Sequence, residues 1–318
     1  MKILIEVPTW LGDSVMTTPA IENILQAYPQ AKLTLFGSFV STQALQVHPR
    51  VEKVIVDDSK KAGFRFKALY RLAKSLGDFE SAFTFRRTMT SRFFIFFVSA
   101  KKRYYYRRFS KEGRHQVLRY NDFINHCLKR SYEAEKLRLH YLANSSSKPL
   151  LGINPGATYG SAKRWYPERF GEVAKTLSLE FDILLFGGPS EVDMARDIER
   201  YLVEQGVENF HNLAGKTSIP ELIEHIGSLS LFITADSGPM HVAAAYQIPT
   251  VALFGPTKHE ETSPWMNPFS TILCHDLSCA PCMKRECPLK THECMKLIHD
   301  DEVIVAARVC YNRSKGVI

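Results

Sequence analysis

The chain has 318 residues, enough for two domains with separate cores, and its 45% hydrophobic and 23% charged residues exclude a disordered or fibrous protein. Its longest apolar run, Phe93–Ala100, is far shorter than the roughly 18–20 residues of a membrane-spanning helix. The net charge of +8 is unevenly placed: residues 1–148 carry 26 Lys+Arg against 12 Asp+Glu, and residues 149–318 carry 15 against 21. The excess peaks between Lys60 and Arg119, with 17 basic and three acidic residues, and a field of that sign attracts nucleic acid, an acidic membrane surface or a phosphorylated substrate. Charge alone does not choose among them.

The first residues, MKILIEV, carry Glu6 inside the apolar run and no small-residue cleavage site, so they predict a first strand over 2–7 and not a signal peptide; the expected compartment is the cytoplasm. The loop Pro8-Thr9-Trp10-Leu11-Gly12-Asp13-Ser14 follows. Thr18-Pro19 then opens a helix whose apolar face is Ile21, Ile24, Leu25 and Tyr28. Runs at 32–36, 51–56 and 81–85 read as further strands with helical patterns between them, which implies a parallel sheet covered on both faces. The first loop then lies at the carboxyl edge of a central strand, where such sheets bind ligands: Gly12 permits close backbone approach and Asp13 is a candidate base.

The segment Arg86–Arg119 interleaves aromatics and cations, as in Arg92-Phe93-Phe94 and Lys101-Lys102-Arg103-Tyr104-Tyr105-Tyr106. It has two readings: a surface for lipid headgroups or nucleic acid, with Phe93–Arg108 as the stretch that docks on an anionic membrane, or a helix with a buried Phe face and a solvated cationic face. Another helix is expected over Gly113–Arg130.

The composition changes at Asn144–Pro149, a Ser-rich stretch that reads as a linker between domains 1–148 and 149–300. A second α/β alternation begins with Leu150–Ile153, a helix after Pro167 that buries Phe170, Val173, Ala174 and Leu177, and Ile183–Phe186. It centres on Leu231–Thr257, where an apolar run breaks into Thr234-Ala235-Asp236-Ser237-Gly238-Pro239, passes through a helix around Met240–Tyr246 and returns to an apolar run at Thr250–Phe254. The unpaired N–H groups and positive dipole end of a helix entered through Ser-Gly-Pro suit an anion such as phosphate. Asp236 would repel that phosphate, so it is either a helix cap or a ligand for the hydroxyls of a sugar. Four Gly/Pro loops, at 154–157, 187–190, 236–239 and 255–257, follow strands and would converge on one crevice. Neither GxGxxG nor GxxxxGK[ST] follows any strand, which disfavours a simple dehydrogenase or P-loop ATPase. The arrangement suits a transferase.

Taken together, Pro8–Asp13, Asn154–Ala157 with Lys163–Glu168, Leu213–Thr217 and Thr234–His241 with Phe254–Thr257 resemble glycosyltransferase family 9, in order and over most of the chain. The resemblance implies a GT-B fold, two Rossmann-like domains facing across a cleft, with the acceptor in the first and the nucleotide-sugar in the second. It implies inverting transfer of L-glycero-D-manno-heptose from ADP-heptose to the first heptose of a lipid A–inner core acceptor, with no cofactor required, no metal in the chemistry and no nucleic acid partner. By matching motif, Asp13 is the general base and Lys163 the cation on the leaving diphosphate. Backbone amides of the Ser237–Met240 turn, in which Pro239 itself has no N–H and Ser237, Gly238 and Met240 do, and the ring of His241 assist it, Thr234 and Asp236 face the sugar, and Glu191 holds the ribose. Trp10, Gly12, Arg86 and Arg87 are the acceptor candidates. A last helix, opened by Asp300–Glu302 within 301–318, is expected to return to the first domain. The alternatives are a sibling heptosyltransferase or another nucleotide-sugar transferase and, from another class, a basic nucleic-acid-binding protein that uses Arg86–Arg119.

Four cysteines, Cys279-x2-Cys282-x4-Cys287-x6-Cys294, have a spacing open to a structural zinc, although the family resemblance brings a similar segment without an established metal.

Overall fold

A computed structural model describes residues 1–110, 113–143, 146–157 and 159–317, and the chain divides into two compact units, Met1–His140 and Tyr141–Ile318. The boundary falls a few residues before the Ser-rich stretch, of which Asn144 and Ser145 lie outside the described residues. The reason is a set of side-chain ties that hold residues 131–140, which form neither helix nor strand, to the first unit. Asn23 donates to the carbonyl of Glu133 (2.9 Å), Asn121 to that of Tyr132 (2.8 Å), and the Arg138 N–H to Thr18 Oγ1 (3.0 Å).

In the first unit, β1 (Lys2–Glu6), β2 (Lys32–Gly37), β3 (Val51–Val56), β4 (Asp78–Thr84) and β5 (Ser99–Tyr105) form, among the described residues, a five-stranded parallel sheet in the order β3-β2-β1-β4-β5. The helices are α1 (Leu11–Met16), α2 (Thr18–Ala27), α3 (Phe39–Leu45), α4 (Arg65–Ser75), α5 (Met89–Phe97) and α6 (Gln116–Leu128). Strand β1 is central and buried on both faces, which is why it reads as a nearly unbroken apolar run. Two elements depart from expectation. Residues 11–16, expected as loop, make the short helix α1, with Asp13 in its first turn. Lys101–Tyr105 belongs to β5, an edge strand whose cations face solvent, as edges that avoid further pairing do. In α5, Phe94 and Ile95 are buried against Leu4, Phe36 and Leu69, whereas Phe93 and Phe97 are half-buried and Phe96 is exposed, so the Phe run is core on one side only.

In the second unit, β6 (Leu150–Asn154), β7 (Asp182–Leu185), β8 (Phe210–Asn212), β9 (Leu231–Ala235), β10 (Thr250–Leu253) and β11 (Ser270–Leu273) form a parallel sheet in the order β11-β10-β9-β6-β7-β8. Its helices are α7 (Pro167–Leu177), α8 (Val192–Glu204), α9 (Ile219–Gly227), α10 (Gly238–Ala245), α11 (His259–Thr262), α12 (Glu293–Lys296) and α13 (Asp300–Ser314). Helix α7 buries the four expected positions. The return of the last helix to the first domain is corrected: Val303, Ala306, Ala307 and Cys310 of α13 lie in one core with Leu151, Val251 and Leu177. That apolar stripe completes the cover of the second sheet, where burying a side chain such as Val303 stabilises by roughly 1.5–3 kcal/mol.

Candidate active site

In each sheet the order of strands reverses once, between β1 and β4 in the first and between β6 and β9 in the second, and open α/β sheets bind ligands at such points. The expected site residues follow these four strands or their neighbours.

In the first unit the chain leaves β1 through Trp10, which is exposed, into α1, where Gly12 is buried and Asp13 half-buried. The Tyr120 hydroxyl, reaching from α6, donates to Asp13 Oδ1 at 3.2 Å. Burial, and then the neighbouring charge of Asp13, pushes the Tyr120 phenol well above its ordinary range, so it stays protonated and remains a donor. Arg86 follows β4, but its guanidinium is committed inward: Nη1 lies 3.3 Å from Glu6 Oε1 and 3.9 Å from Asp57 Oδ2, with only 10% of the side chain exposed. Ser91 Oγ donates to the same Glu6 oxygen at 2.7 Å. Glu6 is 1% exposed, and burial raises its carboxyl against the opposing effect of Arg86. Arg86 is therefore first a counterion for a buried acid. Arg87, the next residue, is exposed.

In the second unit four loops leave adjacent strands of one sheet. Asn154, at the end of β6, joins two of them: its amide donates to the Gly156 carbonyl (3.2 Å), Ser237 Oγ (3.2 Å) and Thr234 Oγ1 (3.5 Å). Lys163 Nζ donates to Asp236 Oδ2 at 2.5 Å and to its carbonyl at 3.3 Å, and Thr257 Oγ1 donates to the same Oδ2 at 2.6 Å. The Lys163 and Asp236 side chains are 12% and 7% exposed, and the ammonium also sits 4.7 Å from the Tyr159 ring. A buried pair of this kind stands only because each charge has further polar neighbours. Asp236 is thus neither a helix cap nor free for a ligand in this state. Gly238 and Pro239 form the first turn of α10 with Ser237 as N-cap, His241 is buried within it, and the Met240 side chain enters the core beside Ala252 and Phe254. Met240 can contribute only its backbone.

Glu191 closes the loop after β7: its Oε2 accepts the Gly188 N–H at 2.7 Å, and its carboxyl packs on Gly156 so closely that a Cβ there would lie 2.2 Å from Glu191 Cδ. A side chain at 156 would push the Glu191 carboxyl out of this place.

The seven cysteines are all free thiols, and Cys279, Cys282, Cys287 and Cys294 line one small pocket. Among the described residues the one trio with ligand atoms all within 4.8 Å of one another is Glu22, His48 and His140, so the four thiols do not stand at mutual chelating distance. The trio has its own hydrogen bonds. His48 Nδ1 accepts the Arg50 N–H (3.0 Å), which leaves Nε2 to carry the proton toward Glu22 (3.1 Å) instead of offering a metal its lone pair.

A family model described as glycosyltransferase family 9 (heptosyltransferase) matches residues 69–293. The chain belongs to glycosyltransferase family 9. This family member is 40% identical over 316 residues to the "Lipooligosaccharide heptosyltransferase 2" of Campylobacter jejuni, covering 97% of this chain and 98% of that protein. Its fold is similar to that of Escherichia coli ADP-heptose LPS heptosyltransferase II, with a TM-score of 0.82 at 22% identity over 99% of this chain and 100% of that one. It is also similar to E. coli heptosyltransferase WaaC with ADP-2-deoxy-2-fluoro heptose, with a TM-score of 0.71 at 19% identity over 87% and 94% of the two chains. The fold is of the GT-B type, and this family 9 protein is a glycosyltransferase. Three residues went unread in the sequence. Asn154 and Thr257 lie in loops marked by Gly and Pro, which was the available signal, whereas Tyr120, 107 positions from Asp13, carried none.

Proposed function

We propose that this family 9 member is an inverting transferase that moves L-glycero-D-manno-heptose from ADP-heptose to the first heptose of a lipid A–inner core acceptor at the inner face of the inner membrane. The observation that carries the proposal is the buried Lys163–Asp236–Thr257 cluster at the strand-order reversal of the second sheet, beside the N-terminus of α10. The near full-length likeness to a protein named lipooligosaccharide heptosyltransferase 2 supports the choice of sugar and acceptor.

In this scheme the ADP diphosphate lies against α10, where the N–H groups of its first turn and the positive end of its dipole face the anion. Lys163 turns from Asp236 to the diphosphate as charge builds on the leaving oxygen, and electrostatic stabilisation of that kind is worth most where water is excluded. Asp236, relieved of its partner, accepts from heptose hydroxyls, and Glu191 accepts from the ribose. Asp13, its carboxylate oriented by Tyr120, removes the proton from the acceptor hydroxyl while that oxygen attacks the anomeric carbon on the face opposite the diphosphate. Inversion requires the base and the leaving-group partners to work on opposite faces of the sugar, and separate elements, α1 and the Lys163 turn, carry them.

The test is a donor and acceptor panel with the product read by mass. Heptose addition only from ADP-heptose, and only to an acceptor already bearing one heptose, supports the proposal; addition to a heptose-free acceptor, or preference for another nucleotide sugar, overturns it. Asp13→Asn is expected to fold normally and to lose about 10³-fold in kcat. Turnover near that of the parent would remove Asp13 from the chemistry.

A further inference from the structure

We propose that the face formed by α4 and α5 of the first unit is a docking surface for an anionic lipid bilayer. The inference rests on the lipid-borne acceptor just proposed and names the surface that brings the enzyme to it. In α4 the exposed positions Lys67, Tyr70, Arg71 and Lys74 fall at i, i+3, i+4 and i+7, one stripe of the helix, while Leu69 and Ala73 face the core. Beside it, α5 exposes Met89, Arg92 and Phe96 and buries Phe94 and Ile95.

The two helices are joined by a continuous band of rings. Phe66 meets Phe93 at 4.9 Å between centroids, Phe93 meets Phe97 at 4.8 Å, and Phe97 meets both Tyr70 (4.9 Å) and Phe96 (5.0 Å). Phe64, at the start of α4, extends the band to Phe66 at 6.4 Å. The inner rings are half-buried, whereas Phe64 and Phe96 are 67% and 65% exposed. Exposed aromatic edges set among cations match the headgroup layer of a bilayer, where rings sit at the apolar boundary and Lys/Arg meet anionic lipid. The charge is complementary, since the face carries Lys67, Arg71, Lys74 and Arg92 and no acidic residue lies in either helix. A bilayer also suits rings that meet edge to face in one continuous band: a lipid boundary takes up apolar edges side by side, whereas bases of nucleic acid stack on separate open ring faces. The structure shifts the contact away from the 99–108 stretch, which forms edge strand β5 and the turn after it, and onto the two helices.

The experiment is co-sedimentation of the full chain with phosphatidylcholine vesicles with and without 30% phosphatidylglycerol, alongside transfer to a deacylated, water-soluble acceptor. The parent is expected to bind the anionic vesicles far more tightly than the neutral ones and to release most of its bound fraction as salt is raised. Lys67→Gln/Arg71→Gln/Lys74→Gln is expected to bind about 100-fold more weakly at low salt, from about fivefold per cation. Phe64→Ser/Phe96→Ser is expected to lose the residual binding that survives high salt. Both variants keep parental turnover on the soluble acceptor. A parent that ignores anionic vesicles, variants that bind as the parent does, or a face whose substitution instead dissociates a dimer of the chain overturns the docking proposal. None of these outcomes touches the transferase reading, which fails separately if the soluble acceptor is not glycosylated.

Discussion

Asp13 accepts a hydrogen bond from a buried phenol that burial itself keeps protonated, and this fixes what a single oxygen atom contributes. A donor to a carboxylate favours its ionised form and holds the side chain in one orientation. Tyr120→Phe removes the donor and leaves the ring packing on Phe85 and Tyr106 in place. The expected outcome is a loss of about tenfold in kcat/KM, consistent with hydrogen bonds to charged groups of about 1.5–3 kcal/mol, together with an upward shift of the acid limb of the pH profile. A loss without that shift would make Tyr120 a packing residue only. Lys163 and Asp236 show the limit of reading residues one at a time. Each was a candidate ligand in the sequence, and the fold first makes them ligands for each other. Residue types and loops were legible because glycine, proline and an acid after an apolar run have few uses. Pairings across 73 or 107 positions were not, because nothing in the intervening chain records which loops the sheet will set side by side.

Parallel strands announce themselves as apolar runs because both of their faces are covered, and eight of the eleven strands among the described residues did so closely enough to place the loops around them. Edge strand β5 did not, since one of its sides is solvent and Lys101-Lys102-Arg103 reads there as a surface run. Helix α13 was legible as a helix, but nothing in its sequence says which sheet it covers. The segment 131–140 has no periodicity because its order comes from side chains, ending in His140 beside His48 and Glu22, with ring centroids 4.4 Å apart. Burial, and then the charge of His48, lowers the pKa of His140 below its ordinary 6.5, while the hydrogen bond from His48 lowers that of Glu22. Groups lowered on folding stabilise at pH above their unfolded values and lose that stabilisation as pH falls through the folded ones. The first unit is therefore expected to unfold at lower urea as pH falls from 7.5 to 5, and His140→Phe to flatten part of the slope. Comparing parent with variant isolates the effect, because Glu6, raised by burial, works in the opposite sense in both. Equal slopes would show that the cluster does not report pH.

At the scale of the whole molecule, the two units divide the chemistry as they divide the charge: the basic first unit carries Asp13 and the cationic aromatic band, and the acidic second unit carries the glycine-lined edge proposed for ADP. Binding stabilises the elements that make the contacts, so ADP at about 100 times its Kd should slow amide exchange in α10 and in the loops around Asn154, Gly188 and Asp236. Amides of β1, α1 and α6 should exchange as before; protection centred on them would move the nucleotide site to the first unit. The position of α13 has a temporal consequence. The first unit has all its residues once His140 is made, whereas the second cannot seal its core until Cys310 emerges, which at bacterial elongation rates is roughly ten to thirty seconds later. During that interval the nascent chain displays a finished, positively charged unit with Phe64 and Phe96 at its surface. Whatever meets the growing polypeptide first, lipid or chaperone, meets that side of it.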